Sequence, residues 1–204
     1  MSIERLLSGH RQFKVRFADR KDTYQHLADQ GQDPDILWIS CSDSRVIPER
    51  ITGASPGDLF IIRNVANIVP PAGSEESSVG AVIEYAVEQL DVTDIIVCGH
   101  TECGGIGALF NVLDSTREPH ISQWISLARP ALERVQESGF PQNDRYLETI
   151  KANILLQLEN LRTYRCVQEA FNSNTLTLHG WLYDLHSGDL HTYNPDSASW
   201  AVLT

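Results

Sequence analysis

Residues 94–105 read DIIVCGHTECGG, an apolar run that leads directly into a polar, glycine-rich turn. Two other runs share this character: DILWIS at residues 35–40, followed by CSDSR at 41–45, and LFII at 59–62, followed by RN. Continuous apolar runs, rather than alternating ones, are typical of strands in a parallel sheet that is covered on both faces. Ligands of open α/β sheets bind where such strands end, so these polar turns are the expected position of the functional site.

Apolar residues at three- and four-residue steps predict a helix over residues 77–90, between the second and third of these strands in the chain. A strand–helix–strand unit of this kind joins parallel strands. Two more segments have the same periodicity and predict helices at 119–138 and 144–164. Residues 176–185 predict a closing strand, with which residues 191–193 are expected to pair after a Ser-Gly-Asp turn.

We therefore expect an α/β fold with a central, mainly parallel sheet of about four strands, an added C-terminal antiparallel strand and flanking helices. No repeat, low-complexity tract or linker interrupts the sequence, which predicts a single domain over residues 1–204. Residues 1–30 are expected to form an N-terminal helical arm of this domain. The apolar stripe of the arm, which includes Ile3, Leu6 and Leu7, is narrow and leaves room for packing on a partner subunit.

The charge of the chain excludes several classes of partner. It has 16 Lys and Arg against 27 Asp and Glu, for a formal net charge of −11. Nucleic-acid binding requires a basic surface to neutralise phosphates, and a polybasic membrane anchor also requires positive charge. The net negative charge argues against both. No apolar run approaches the roughly 20 residues that cross a bilayer, and no secretory leader is recognisable. We expect a cytoplasmic protein without nucleic-acid or membrane partners.

Four cysteines occur, at positions 41, 98, 103 and 166, and in the cytosol they are expected to be reduced. Metal binding, catalysis and plain burial are then the open interpretations. Cys98 and Cys166 have no polar neighbours and are predicted to be core residues. Cys41 ends one strand, while His100 and Cys103 lie three residues apart in the glycine-rich turn of another. Thiolates and an imidazole are the ligands that zinc prefers, and a catalytic zinc keeps one position open.

Asp43 and Arg45 lie two residues apart in the loop that follows Cys41. A carboxylate and a guanidinium at this spacing can pair through two hydrogen bonds, which would keep Asp43 ionised and aim it at the neighbouring site. The alternative interpretation is an ordinary surface ion pair, which contributes about 0–1 kcal/mol to stability.

The motifs CSDSR at 41–45 and GHTECGG at 99–105 resemble those of the β class of carbonic anhydrases. The resemblance extends through GDLFIIRNVAN at 57–67, IEYA at 83–86 and LHGWLY at 178–183, and covers residues 3–193. It implies one zinc ion per subunit, held by Cys41, His100 and Cys103. The fourth position would hold water or hydroxide while Asp43 pairs with Arg45; in some members this aspartate becomes a zinc ligand and closes the site.

The resemblance also implies a substrate pocket lined by Gln32, Phe60, Val65 and Tyr85. In the family some of these residues come from the neighbouring subunit. The smallest unit would then be a homodimer, with a tetramer or a larger assembly left open. A bicarbonate-regulated subgroup has an allosteric anion site, and its residues correspond to Trp38, Arg63 and Tyr183.

The implied activity is the zinc-dependent, reversible hydration of carbon dioxide to bicarbonate and a proton, with a zinc-bound hydroxide oriented by Asp43 and Arg45. The chain would thus be a lyase. Three alternatives are open: hydrolysis of a related small molecule such as carbonyl sulfide, a carboxysome-associated or assembly role, and thiol redox chemistry. The complete ligand set argues against an inactive assembly protein, and the lack of a Cys-x-x-Cys pair argues against redox chemistry. His179 and His186 are available as proton carriers, although core or surface roles suit them better.

Overall fold

The computed structural model describes residues 2–111 and 113–203. The chain forms two compact units, one up to Asp33 and one from Pro34 onward. The first contains helices α1 (Ile3–Asp19) and α2 (Lys21–Gln30), which are separated at Arg20, where the backbone leaves the helical region. Phe17 and Tyr24 stack across the two helices with ring centroids 4.6 Å apart. The predicted arm over residues 1–30 therefore contains two helices. Its role within one domain and on a partner subunit stays a prediction.

The second unit is built on a six-stranded sheet in the order β2-β1-β3-β4-β5-β6. The strands are β1 (Ile36–Cys41), β2 (Leu59–Asn64), β3 (Asp94–His100), β4 (Thr177–Tyr183), β5 (Leu190–Asn194) and β6 (Ser199–Val202). The first four pair in parallel, while β5 and β6 are antiparallel. The expected α/β class with a mainly parallel sheet is confirmed. The antiparallel part has two strands rather than one, because the short β6 also pairs with β5.

Seven α-helices are present in the described part of the second unit, together with two short 3-10 turns. They are α3 (Pro48–Thr52), α4 (Ser78–Glu88), α5 (Gly104–Gly107), α6 (Pro119–Ser126), α7 (Arg129–Glu137), α8 (Arg145–Leu161) and α9 (Arg165–Asn172), with turns at Val65–Asn67 and Ala108–Phe110. The predicted helix over 119–138 is two helices, since a new helix starts with Pro130 in its first turn. The short helices α3 and α9 were not predicted.

The two faces of the sheet bury side chains in clusters of different size. Alternate residues of a strand point to opposite faces, and in β1 Leu37 and Ile39 belong to the larger cluster, against which α4 and α8 pack. Trp38 lies in a smaller cluster with Ile96 and Cys98. None of the helices in the described residues is long and apolar enough to cross a membrane.

Candidate metal centre

Three side chains with metal-binding atoms meet at the carboxyl ends of β1 and β3, which are neighbours in the sheet. Cys41 ends β1, His100 ends β3, and Cys103 immediately precedes α5. Because β1 and β3 are paired in parallel, their carboxyl ends lie side by side. The ligand atoms of the three residues are all within 4.8 Å of one another, and the two sulfur atoms are 3.9 Å apart. All three residues are buried. The structure thus brings together the three residues that the sequence indicated as zinc ligands.

The imidazole of His100 is oriented by a backbone contact. Its Nδ1 lies 2.8 Å from the carbonyl oxygen of Thr101, which requires Nδ1 to carry the proton and donate it. Nε2 is then an acceptor, and it is fully buried with no hydrogen-bond partner in residues 2–111 and 113–203. A buried acceptor without a partner is unfavourable, whereas a metal ion beside the two sulfur atoms would satisfy it. The donor set of two thiolates and one imidazole fits zinc.

The two thiols share their protons unequally. A hydrogen bond from Cys103, together with contacts to the backbone N–H groups of Asp43 and Ala66, holds the pKa of Cys41 well below its ordinary value. Cys41 in turn raises the pKa of Cys103, because its thiolate lies 3.9 Å away and repels a second negative charge. The pair therefore carries one negative charge in a buried site, which favours a cation. By contrast, burial raises the pKa of Cys98 and of Cys166, as expected for core thiols.

Asp43 and Arg45 form a two-point ion pair beside this group. Arg45 Nε donates to Asp43 Oδ1 at 2.9 Å and Nη2 donates to Oδ2 at 2.7 Å, while the backbone N–H of Arg45 also donates to Oδ1 at 3.0 Å. These contacts hold the pKa of Asp43 well below its usual range. Asp43 Oδ2 is 3.9 Å from His100 Nε2, so the carboxylate faces the metal group. Arg45 also donates to the carbonyl oxygen of Glu102, which ties the two ligand-bearing loops together.

The side chain of Arg63 supports the loop that follows β1. Its Nε donates to the carbonyl oxygen of Cys41 at 2.9 Å and its Nη2 to that of Asp43 at 2.6 Å. Of the other two residues of the suggested allosteric site, Trp38 is fully buried in the smaller cluster and Tyr183 is half-buried against the same cluster. The Nε1 of Trp38 has no hydrogen-bond partner in the described part of the chain.

The suggested pocket residues are not all near the metal group of their own chain. Val65 follows β2 and its Cγ1 would lie 2.8 Å from a β-carbon placed on Gly105, two residues after Cys103. Phe60 is instead paired with Leu37, four residues before Cys41 on β1, which places its backbone about 13 Å along the strand from the metal end. Tyr85 packs against the Phe60 ring, with centroids 5.7 Å apart. Gln32 is an exposed residue of the N-terminal unit.

Sequence reasoning missed two aromatic side chains that support the site from distant helices. Tyr146 of α8 donates its hydroxyl to the carbonyl oxygen of Cys103 at 2.8 Å. Trp124 of α6 donates its indole N–H to the carbonyl oxygen of Val65, also at 2.8 Å. Neither residue lies in a recognisable motif, because their role depends on tertiary contacts across more than 40 residues. His179, a candidate proton carrier, instead pairs with Asp94 at 2.7 Å, at the opposite end of the strands.

Comparison with known proteins agrees with this arrangement. A family model described as carbonic anhydrase matches residues 36–190. The chain is 41% identical over 185 residues to a carbonic anhydrase of Pseudomonas aeruginosa, an alignment that covers 90% of this chain and 84% of the relative. It is 38% identical over 197 residues to a carbonic anhydrase of Synechocystis, covering 94% of this chain and 71% of the relative.

Solved structures show the same similarity. The β-carbonic anhydrase CcaA has a TM-score of 0.93 and 35% identity, covering 98% of this chain and 99% of that one. A tetrameric β-carbonic anhydrase from the filamentous ascomycete Sordaria macrospora has a TM-score of 0.83 and 28% identity, with 97% of each chain covered. The matched region contains the three metal-binding side chains. The chain therefore belongs to the β class of carbonic anhydrases and is an enzyme of that family.

Proposed function

We propose that this enzyme hydrates carbon dioxide reversibly to bicarbonate and a proton, with zinc held by Cys41, His100 and Cys103. The observation that carries the proposal is the buried group of two sulfur atoms and one imidazole nitrogen within 4.8 Å, with the Asp43 carboxylate facing it. A zinc ion in this group would lower the pKa of a water molecule and so supply hydroxide near neutral pH.

Asp43 would orient the hydroxide. Two thiolates offset most of the charge of a divalent cation, so polarisation by the ion alone is weaker here than at a site with three neutral ligands. The ionised carboxylate of Asp43 can accept a hydrogen bond from the hydroxide and turn a lone pair toward the carbon atom of the substrate. Arg45 keeps this carboxylate ionised and fixes its direction through the two contacts of 2.9 and 2.7 Å.

The substrate pocket would be completed by a second subunit. A cavity of about 1110 Å³ adjoins the site and is lined in part by Ser42, Val65 and Trp124. Carbon dioxide has only three atoms, so a cavity of this volume cannot contact it closely on all sides. Phe60 lies four residues back along the strand register and cannot reach the metal group of its own chain. The Phe60 and Tyr85 rings of a partner would narrow the pocket of the first subunit.

A homodimer is thus the smallest active unit in this proposal, and the tetrameric β-carbonic anhydrase of Sordaria macrospora supports an oligomer. Exposed apolar residues of α1, among them Ile3, Leu6 and Leu7 with 67%, 55% and 53% exposure, offer a surface for the partner. A cytoplasmic location agrees with four buried, unpaired cysteines, since thiols stay reduced there.

The decisive experiment measures zinc content and carbon dioxide hydration on the same sample at several pH values. We expect one zinc per subunit and a rate that increases with pH through the neutral range, as an ionising water requires. Cys41→Ala should lose both zinc and activity, whereas the matched control Cys166→Ala, a buried cysteine of α9, should keep both. A zinc-loaded protein that hydrolyses carbonyl sulfide but does not hydrate carbon dioxide would contradict the proposal.

One observation supports bicarbonate regulation as a second function. The buried Trp38 Nε1–H has no acceptor among the residues with described positions. Ser40, two residues along β1, is paired with Arg63, and these side chains share one face of the sheet. An anion bound there would compete for the Arg63 donors that now hold the carbonyl oxygens of Cys41 and Asp43, and would loosen the loop that carries Asp43.

Trp38→Phe tests this regulation, because it removes the indole N–H and keeps an aromatic ring. We expect wild-type enzyme to show sigmoidal inhibition by bicarbonate and Trp38→Phe to lose it. Trp200→Phe on β6 is the matched control. Trp200 packs on Tyr193 and against the larger cluster, whereas Trp38 lies in the smaller cluster. Simple hyperbolic inhibition of the wild type would contradict the regulatory role.

A further inference from the structure

The segment of residues 65–70, which follows β2, has an unfavourable backbone conformation beside the metal group. Ala66 and Asn67 have φ angles of 64° and 48°. This left-handed region is disfavoured for residues with a β-carbon, and two consecutive residues persist there only when their surroundings hold them.

Amide side chains of α8 hold the segment from the core side. Asn153 Nδ2 donates to the carbonyl oxygen of Ala66 at 3.0 Å. Gln157 Oε1 accepts from the backbone N–H of Val69 at 2.8 Å, and its Nε2 donates to Asn153 Oδ1 at 2.8 Å. Asn153 is 1% exposed and Gln157 is fully buried. We call Asn153, Gln157 and Asn160 the amide ladder, because they follow one another on the same face of the helix.

The ladder continues beyond Gln157. Asn160 Nδ2 donates to the carbonyl oxygen of Val69 at 2.8 Å, and the hydroxyl of Tyr164 donates to that of Pro70 at 2.8 Å. Positions 153, 157 and 160 follow the spacing of one face of α8, and Tyr164 lies just after the end of that helix. Burying amides among apolar residues is unfavourable unless every polar atom is paired. Here the polar atoms of the two buried amides are paired with the segment or with one another.

The held segment touches both ligand-bearing loops. The loop after Cys41 meets the start of the segment, because the backbone N–H of Ser42 donates to the carbonyl oxygen of Asn64 at 2.9 Å. A β-carbon on Gly105 would lie 2.8 Å from Val65 Cγ1 and 2.9 Å from Ala66 Cβ, so the turn after Cys103 rests directly on the segment. A displacement of residues 65–70 would therefore move the surroundings of both sulfur ligands.

We propose that the amide ladder of α8 positions the metal centre by fixing residues 65–70 against the loops that carry Cys41 and Cys103. Asn153 and Gln157 are positioning residues, since they touch neither the ligand atoms nor the substrate. The inference rests on the proposed zinc-dependent function.

The test replaces Asn153 by Leu, which removes the amide and keeps a similar volume. Thr149→Val is the matched control: Thr149 is buried on the same helix, but its hydroxyl donates only to the carbonyl oxygen of Arg145 within that helix. The full-length proteins are loaded with cobalt(II), and two quantities are measured. They are the thiolate-to-cobalt charge-transfer absorption and the rate at which a chelator removes the metal.

We expect Asn153→Leu to shift the charge-transfer band and to accelerate metal loss about 10- to 100-fold, the range typical of groups that orient ligands. Thr149→Val should keep the wild-type band and rate even if it lowers the unfolding midpoint. A stable Asn153→Leu protein with wild-type absorption and release rate would overturn the proposal.

Asn160→Ala provides a second, milder variant, because Asn160 is the half-buried member of the ladder and its amide contacts the segment through the carbonyl oxygen of Val69. We expect faster amide hydrogen exchange in residues 65–70 and a smaller acceleration of metal loss. If Asn153→Leu does not fold, unchanged exchange and metal loss in Asn160→Ala overturn the ladder. A wild-type protein that binds neither zinc nor cobalt overturns the proposed function as well, whereas failure of the ladder alone leaves wild-type loading normal.

Discussion

Asp43→Asn changes an acceptor that faces the metal group while preserving the shape of the side chain. Asp43 Oδ1 accepts two hydrogen bonds from Arg45 and Oδ2 accepts one. The substituted amide keeps two of these three hydrogen bonds if its oxygen occupies the Oδ1 position. Its NH₂ group then takes the place of Oδ2, the atom 3.9 Å from His100 Nε2. A donor thus replaces the acceptor that the proposed mechanism uses to orient hydroxide.

The expected loss follows from that single contact. A hydrogen bond to a charged group contributes about 1.5–3 kcal/mol, and each 1.36 kcal/mol corresponds to about tenfold in rate. We therefore expect kcat/KM for carbon dioxide hydration to fall between about tenfold and 150-fold, with zinc content unchanged because the three ligands are intact.

Stopped-flow hydration rates and zinc content should be measured on the same preparations. Asp58→Asn is the matched control: Asp58 is exposed, and its carboxylate accepts the backbone N–H of Ser55 in a turn. This control should retain wild-type activity. If Asp43→Asn keeps both zinc and full activity, Asp43 does not orient the nucleophile and the proposed mechanism is wrong.

Further predictions concern packing, protons and pH. A β-carbon on Gly99 would lie 2.7 and 2.8 Å from Ile154 Cδ1 and Cγ1, so Gly99→Ala should lower the free energy of unfolding by about 1–3 kcal/mol. In urea titrations the double variant Gly99→Ala/Ile154→Ala should lose about 0.5–3 kcal/mol less unfolding free energy than the two single variants lose together. Losses that simply add would contradict the contact between the two residues. Zinc binding to the metal-free protein at pH 7 should release about one proton, from Cys103, because the pKa of Cys41 is already lowered. Calorimetry in two buffers of different ionisation enthalpy measures the number of protons released, and a release of two protons would contradict the prediction. The pKa of Asp43 is lowered by folding, so its stabilising contribution should be complete above the unfolded value of about 3.9 and be lost as the pH falls below it. The difference in unfolding free energy between wild type and Asp43→Asn should accordingly be constant from pH 8 to 5 and shrink below about pH 4, while a difference that grows in acid would refute the assignment.

The sequence predicted the parallel strands because their apolar runs are continuous, and it located the metal-binding side chains because each follows such a run or lies in the adjoining glycine-rich turn. Residues such as Tyr146 and Trp124 were not predictable, since their contacts join helices to loops far away in the chain. The role of Asn153 was hidden for a similar reason. A polar residue on an otherwise apolar helix stripe is normally exposed, and only the fold shows the backbone carbonyl that it meets.

The short strands and helices were missed for a different reason. β6 has four residues, and three of them are exposed, so it lacks the apolar pattern of the other strands. Trp200 is its one half-buried residue and packs against the larger cluster. The helix predicted over 119–138 is interrupted near Pro130 because a proline is compatible with the first turn of a helix but not with its interior.

The strand order also determines when during synthesis the metal-binding group can be completed. Cys41 and Cys103 are separated by 62 residues in the chain. They come together because β1 pairs with β3, and these two strands lie between β2 and β4 in the sheet. The last of these strands, β4, ends only at Tyr183. A growing chain that has passed residue 103 has all three donors but lacks α8, whose Tyr146 holds the carbonyl of Cys103. We therefore expect metal acquisition to come late in biogenesis, and a ribosome-bound fragment that ends before α8 should bind zinc weakly.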